Sequence, residues 1–175
     1  PIVSRQGVAF FGRDSDATLP VWSAKDGYPG DPWYREFHRD LGWDLPPEQI
    51  EAEGLPAKRP LGLKLHRVSD PGGGLDGKQP YQPERAVERT RDQARNFLEG
   101  RRRQLDRLGN GMAIEPLLVA PFDAELFGHW WFEGPGFLAE LFRQAPEQNI
   151  HFTSLRGVLN NCLLYTSPSP RDSDT

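Results

Sequence analysis

This 175-residue sequence is nearly free of sulfur, with one cysteine, Cys162, and one methionine, Met112. A single thiol excludes an intrachain disulfide framework and a CxxC metal or redox site. No apolar run approaches the roughly 18 residues of a membrane span. No charged, apolar, small-residue signal pattern opens the chain, so a cytoplasmic protein with no membrane partner is expected. Nor is there an excess of positive charge: 21 Lys and Arg stand against 25 Asp and Glu, for a net charge of -4. No global basic field therefore draws in nucleic acid. The sequence also lacks an initiating Met, and its true start is expected to lie upstream.

Glycine and proline are abundant instead, 18 and 17 residues, and imply many irregular connections of the kind that carry function. The chain is 37% hydrophobic and 26% charged, which suits one domain with a real core. The last stretch is of another kind. From Cys162 it reads CLLYTSPSPRD, and a one-frame back-translation of these residues resembles a transposon-derived adapter used in sequencing libraries. Residues 162–175 are therefore expected to be a non-native, disordered tail. Residues 1–161 are then the biological sequence, a piece open at both ends.

Hydropathy patterning predicts alternating elements. "GVAFFGRD" (7–14) reads as a buried strand with a polar exit. "DGYPGDP" (26–32) is turn chemistry, and Asp31-Pro32 resembles an N-cap with Pro at the first helical position. A helix over 32–41 would then put Trp33, Phe37 and Leu41 on one side. Residues 46–60 read as irregular. "LGLKLHRVS" (61–69) alternates with period two, with Leu61, Leu63 and Leu65 facing inward as a half-buried strand. Residues 84–108 form an apolar stripe of Ala86, Ala94, Phe97, Leu98, Leu105 and Leu108, a helix stopped by Gly109 and Gly111. The RRR run at 101–103 lies on it among acids and reads as a solvated face, with a basic helix that binds phosphate or nucleic acid as the alternative. "GMAIEPLLVAPFD" (111–123) reads as a buried strand ending at Asp123, 134–144 as a helix and 149–155 as a further strand. The alternation indicates an α/β fold with a parallel sheet. In such folds sites collect at the carboxyl ends of strands, where Arg13, Asp14 and Asp123 stand.

The densest stretch is "FDAELFGHWWFEGPGF" (122–137). Asp123 either caps the following helix or serves as a general acid/base, its pKa raised in a tryptophan-walled pocket. Glu125 reads as structural. His129 has no second His or Cys at ligand spacing, so it suits a polar contact to substrate better than a metal. Two adjacent tryptophans, Trp130 and Trp131, cannot easily both face inward, so at least one should line a surface. Sugar rings stack on aromatic faces, and "YPGDPWY" (28–34) has the same mixture of residues. The composition points to a polyol or carbohydrate site.

Two blocks, "VWSAKDGYPGDPWYREFHRDLGWDL" (21–45) and "APFDAELFGHWWFEGP" (120–135), resemble the α-glucan branching enzymes of glycoside hydrolase family 57. The resemblance extends over about residues 7–145. It implies part of a (β/α)7 barrel, an incomplete relative of the eight-fold barrel, truncated here at both ends. It also implies a retaining transglycosylation that cleaves an α-1,4 bond and makes an α-1,6 branch in glycogen- or amylose-like glucan, with no cofactor. Two carboxyls roughly 5–5.5 Å apart would serve. The resemblance gives the acid/base role to Asp123. It implies glucan subsites at Arg13, Trp22 and Gly30, with Trp22 stacking on a glucose ring, Arg13 donating hydrogen bonds and Gly30 letting backbone approach the sugar. His129, Trp130 and Trp131 would shape the pocket around Asp123. The family's nucleophilic Glu belongs to an earlier strand, and no Glu here stands in a matching motif. Rival readings are a 4-α-glucanotransferase or an amylase-like hydrolase of the same family, a non-catalytic glucan-binding protein, and a basic-helix interaction module. A purified polypeptide of residues 1–161 is expected to introduce no α-1,6 linkages into amylose. Branches found by debranching and chain-length analysis would contradict this.

Overall fold

The computed structural model describes residues 2–4, 6, 8–69, 77–112 and 115–163. The chain begins with a short antiparallel pair, β1 (Ile2–Val3) against β2 (Ala9–Phe10), in which Ile2 faces Phe10 and Val3 faces Ala9. α1 (Ser15–Trp22) follows at once. The Asp14 carboxylate accepts from the Ala17 N–H at 2.7 Å, which satisfies one of the donors left open at a helix start. Its other oxygen accepts from Gln104 Nε2 at 2.7 Å and so ties α1 to the long helix described below. Tyr28–Gly30 form a 3-10 turn, and two short helices, α2 (Leu41–Asp44) and α3 (Pro47–Ala52), come next.

α4 (Pro83–Gly109) and α5 (Gly134–Gln144) are the framework. α4 buries Ala86, Thr90, Gln93, Ala94, Phe97, Leu98 and Gln104, a stripe at three- and four-residue steps. α5 lays Phe137 and Leu141 into the same core, and Gln144 Nε2 donates to the Arg91 carbonyl at 3.2 Å. Phe137 is fully buried, its ring centroid 5.0 Å from Trp131, 5.5 Å from Tyr28 and 6.1 Å from Phe97. A 3-10 turn after α5 and α6 (Leu155–Leu163) complete the described chain, and residues 164–175 of the expected tail lie outside it.

The expected helices over 84–108 and 134–144 are present. The expected parallel sheet is not: among the described residues the only sheet is the β1–β2 pair, and the fold is mostly helical. A strand exists only through its neighbour's hydrogen bonds. Residues 115–123 run without secondary structure, and the bond from the Asp14 N–H to the Val119 carbonyl at 2.8 Å is the strand-like link they make to the β2–α1 region. Residues 149–154 are irregular, and Asn149 adopts a left-handed φ of 50°. The stretch expected to be irregular at 46–60 contains α3.

The helix expected over 32–41 is also absent, for a visible reason. Asp31 does not cap a helix. One carboxylate oxygen accepts from the Trp33 N–H at 2.9 Å, and the other from Arg89 at 2.7 and 3.0 Å and from Gln93 at 2.8 Å. The backbone beyond then pairs with residues 63–68: Glu36 N–H to the His66 carbonyl, Val68 N–H to that of Tyr34, and Leu41 N–H to that of Leu63. Trp33, Phe37 and Leu41 therefore do not share a helix face.

The inward-facing leucines expected at 61–69 are reversed in part. Leu63 and Leu65 are exposed, while Lys64 points in and donates to the Phe37 carbonyl. Asp40, itself buried, accepts from the N–H groups of Gly42, Leu61 and Gly62 at 2.8–2.9 Å, and these bonds fix the register. Burial works against its charged form, but the three bonds outweigh it and hold the carboxyl below its ordinary range.

Replacing Phe137 by alanine removes a fully buried ring at the α4–α5 contact. It is expected to cost about 3–5 kcal/mol of folding stability, measurable by urea denaturation. A loss below about 1 kcal/mol would mean that the core does not close on this ring.

Candidate active site

Asp123 ends the extended run after α4 and precedes a 3-10 turn, Ala124–Leu126. Its carbonyl accepts from the Leu126 N–H at 3.1 Å, but its side chain makes no capping bond. The structural alternative for this carboxylate is thus not realised, and it stands exposed.

The segment behind it folds on itself. Trp131 N–H donates to the Leu126 carbonyl and Gly128 N–H to the Trp131 carbonyl, both at 2.8 Å, and Trp130 N–H reaches the Glu125 carbonyl at 3.2 Å. Gly128 takes φ 94°, a conformation that side chains rarely adopt. The tight turn sends the two tryptophans in opposite directions. Trp131 is 2% exposed, its ring 5.6 Å from Tyr34 and 5.0 Å from Phe137, whereas Trp130 is 52% exposed.

Two adjoining depressions meet at Asp123. A small one of about 260 Å³ is lined by Arg13, Thr18, Trp22, Pro121, Phe122 and Asp123. An open cleft of about 1490 Å³ shares Trp22 and Asp123 and continues past Gly30, Arg35, Glu36, Phe37, Glu125 and Trp130. Of the residues singled out from the sequence, Arg13, Trp22, Gly30, Asp123 and Trp130 thus line one continuous surface. His129 is exposed and touches it indirectly, its ring 5.3 Å from Trp130 and 5.6 Å from Phe37. Trp131 lies beneath the surface, in the core. Gly30 is constrained from within the protein: a Cβ there would fall 2.0 Å from the Ala24 carbonyl oxygen. The close approach that requires a glycine is to the chain's own backbone. Among the described residues no group of three or more His, Cys, Asp or Glu is placed to hold a metal ion.

The sequence reading missed Glu133, the third acid of the segment. It is buried and accepts from the Arg35 N–H at 2.9 Å, joining the Asp123 segment to the 34–41 strand-like stretch. Burial raises its pKa above the ordinary carboxylate value, against the pull of the Arg35 N–H. Tyr81 in turn is raised, first by its own burial and then by the neighbouring Glu133 carboxyl. Spacing alone gave no sign of this role, because the partner backbone is supplied by a distant segment.

No family model matches the chain. It is 34% identical over 158 residues to a 1,4-α-glucan branching enzyme of Thermococcus kodakarensis, covering 90% of this chain and 21% of that protein. Among solved structures it resembles a GH57-type branching enzyme from Pyrococcus horikoshii, with a TM-score of 0.77 and 34% identity over 91% of this chain and 26% of that one. It also resembles the α-amylase AmyC from Thermotoga maritima, with a TM-score of 0.81 and 41% identity over 91% of this chain and 32% of that one. The similarity to these proteins extends over nine-tenths of the chain. That similarity covers both aromatic blocks, while the chain itself spans only about a fifth to a third of the length of these relatives.

The buried Glu133 makes a testable statement about pH. A carboxyl with a raised native pKa contributes stability that is complete below its unfolded value, 4.5, and is lost as pH climbs through the native value. Glu133→Gln keeps an oxygen to accept from the Arg35 N–H but cannot ionise. Its stability relative to the unsubstituted chain is expected to improve as pH rises from about 4 to about 7. Parallel pH–stability curves from urea denaturation would contradict this.

Proposed function

We propose that this chain is part of the (β/α)7 barrel of a GH57 1,4-α-glucan branching enzyme, and that residues 162–175 do not belong to that barrel. The observation that carries the reading is the junction at Asp123: an uncapped carboxylate shared by two pockets, beside Trp22 and Arg13, in a segment homologous to branching enzymes.

In the proposed reaction Asp123 is the acid/base. As an acid it gives its proton to the glycosidic oxygen of an α-1,4 bond while a Glu nucleophile attacks the anomeric carbon. That nucleophile belongs to a part of the barrel that no motif in this chain supplies. As a base Asp123 then takes the proton of a 6-hydroxyl on a second glucan, which displaces the enzyme carboxylate and leaves an α-1,6 branch. Trp22 offers a half-exposed ring face to a glucose unit and Arg13 donates to its hydroxyls. Trp130 offers a second face along the cleft. Trp131 acts from beneath by fixing the loop, and His129 acts by bracing Trp130. The substrate is an α-glucan and the reaction uses no cofactor. No helix among the described residues is long and apolar enough to cross a membrane, and a cytoplasmic setting is part of the proposal.

One observation favours a second reading. The AmyC resemblance, at 41% identity, is to an α-amylase, and an amylase-like site would deliver the glycosyl unit to water rather than to a sugar. In the full-length protein carrying this chain, Asp123→Asn is expected to lower kcat about a hundred- to ten-thousandfold with little change in KM. The products decide between the readings. New α-1,6 linkages support branching, and new reducing ends without branches support hydrolysis. An Asp123→Asn variant with full activity would remove both.

A further inference from the structure

Within the same cleft lies a polar pair that the proposed chemistry does not use. Lys78 Nζ donates to Glu36 Oε2 at 2.8 Å, and both residues line the cleft. Their side chains are only 4% and 12% exposed. Glu36 Oε1 also accepts from the His38 N–H at 3.3 Å. Burial opposes its charge, but the Lys78 bond and that N–H hold the carboxyl below its ordinary range. The Glu36 carboxyl therefore favours its charged form.

A buried ion pair is weak support for a fold, since apolar residues of like volume often serve as well. Its place in a cleft wall suggests another use. Among the described residues Glu36 is the acceptor that Lys78 meets, yet an ammonium has three N–H donors and a carboxylate about four acceptor sites. The pair thus offers a donor and an acceptor side by side. The next residue, Phe37, stacks its ring on Trp130 with centroids 4.6 Å apart and a tilt of 32°, and both rings line the cleft. A pyranose has an apolar face and a rim of neighbouring hydroxyls, which matches this combination.

We infer that Glu36 and Lys78 form a hydroxyl-binding clamp that, with the Phe37–Trp130 stack, holds one glucose unit of an α-glucan in the cleft that contains Asp123. Lys78 donates to one ring hydroxyl and Glu36 accepts from its neighbour. The clamp rests on the α-glucan reading above, and it acts on binding rather than on bond cleavage.

The test is kinetic, on the full-length protein with maltoheptaose and amylose as substrates. Glu36→Met with Lys78→Met keeps the volume of the pair and removes its hydrogen bonding. It is expected to raise KM about ten- to hundredfold, to leave kcat within about threefold, and to leave Tm nearly unchanged. Lys78→Arg keeps the ion pair but fills the hydroxyl space with a larger fork, and is also expected to raise KM at unchanged Tm. This second variant decides the matter if the first fails to fold. An unchanged KM in folded protein would overturn the clamp while leaving the α-glucan reading intact. If the unsubstituted protein turns over no α-glucan, both fail.

Discussion

The rest of the structure depends on the burial of one indole. Trp131 sits among Tyr34, Phe127 and Phe137, with ring centroids 5.6, 6.2 and 5.0 Å away. These three neighbours come from three places: the strand-like stretch before α2, the Asp123 segment itself, and α5. A single side chain thus fastens the Asp123 segment to the strand-like stretch and to α5. An aromatic ring is suited to this, because it removes a large apolar area from water and has few torsions to freeze. The neighbour in sequence, Trp130, is turned outward by Gly128 at positive φ. The same dipeptide therefore supplies an anchor and a surface, and moving the chain by one residue would exchange them.

Electrostatics fix what the rings leave loose. Asp31 is 8% exposed and is met by Arg89, Gln93 and the Trp33 N–H. The Gln93 side chain also accepts from the Tyr34 hydroxyl. One buried carboxylate thus couples the Gly30 turn, the aromatic core and α4. Arg89 is 41% exposed at its side chain, so solvent weakens the Coulombic part of the pair. The larger effect appears when a partner is removed: the carboxylate stays buried and loses a hydrogen bond, and that penalty outweighs the pair's net worth. Glu133 follows the same logic less completely. Its burial outweighs its partners, so it strains against its own charge, whereas Asp40, with three backbone donors, does not.

The helices α4 and α5 were legible because a helix satisfies its own backbone, so the apolar stripe and the stop signals are local facts. Gly109 and the Gly134-Pro135 start needed no distant partner to be read. The stretch 32–41 was misread because Asp31-Pro32 carries a sound local helix signal, and a long-range contact with Arg89 and Gln93 captures the carboxylate that would have capped it. The leucines of 61–65 were misread because Asp40 and Lys64 set the register through hydrogen bonds to backbone, which hydropathy does not record. The strands expected within 115–123 and 149–155 are absent for a different reason. A strand's partners are non-local by nature, and among the described residues no strand lies beside these segments. At the candidate site the types of residue were legible and their assembly was not. Nothing in the spacing of Arg13, Trp22 and Asp123 brings them to one pocket. The bond from the Asp14 N–H to the Val119 carbonyl does, by laying the start of α1 against the run that leads to Asp123.

The same geometry bears on why hydrolases and transferases can share such a scaffold. On the proposed reading both reactions pass through one glycosyl-enzyme and one acid/base, and they differ in what accepts the sugar. Water needs no binding energy to compete, being present at high concentration everywhere in an open cleft. A glucan acceptor wins only if the cleft holds it long enough and oriented well enough, and orientation is where an enzyme gains most over free collision. As the proposed acid/base Asp123 would not supply this, because it would act equally on either acceptor. The difference must lie along the walls, in ring faces such as Trp22 and Trp130, each 52% exposed, and in polar groups already turned toward the cleft. Residues that decide between branching and hydrolysis are therefore to be sought among those that touch the second glucan, at a distance from the bond being broken.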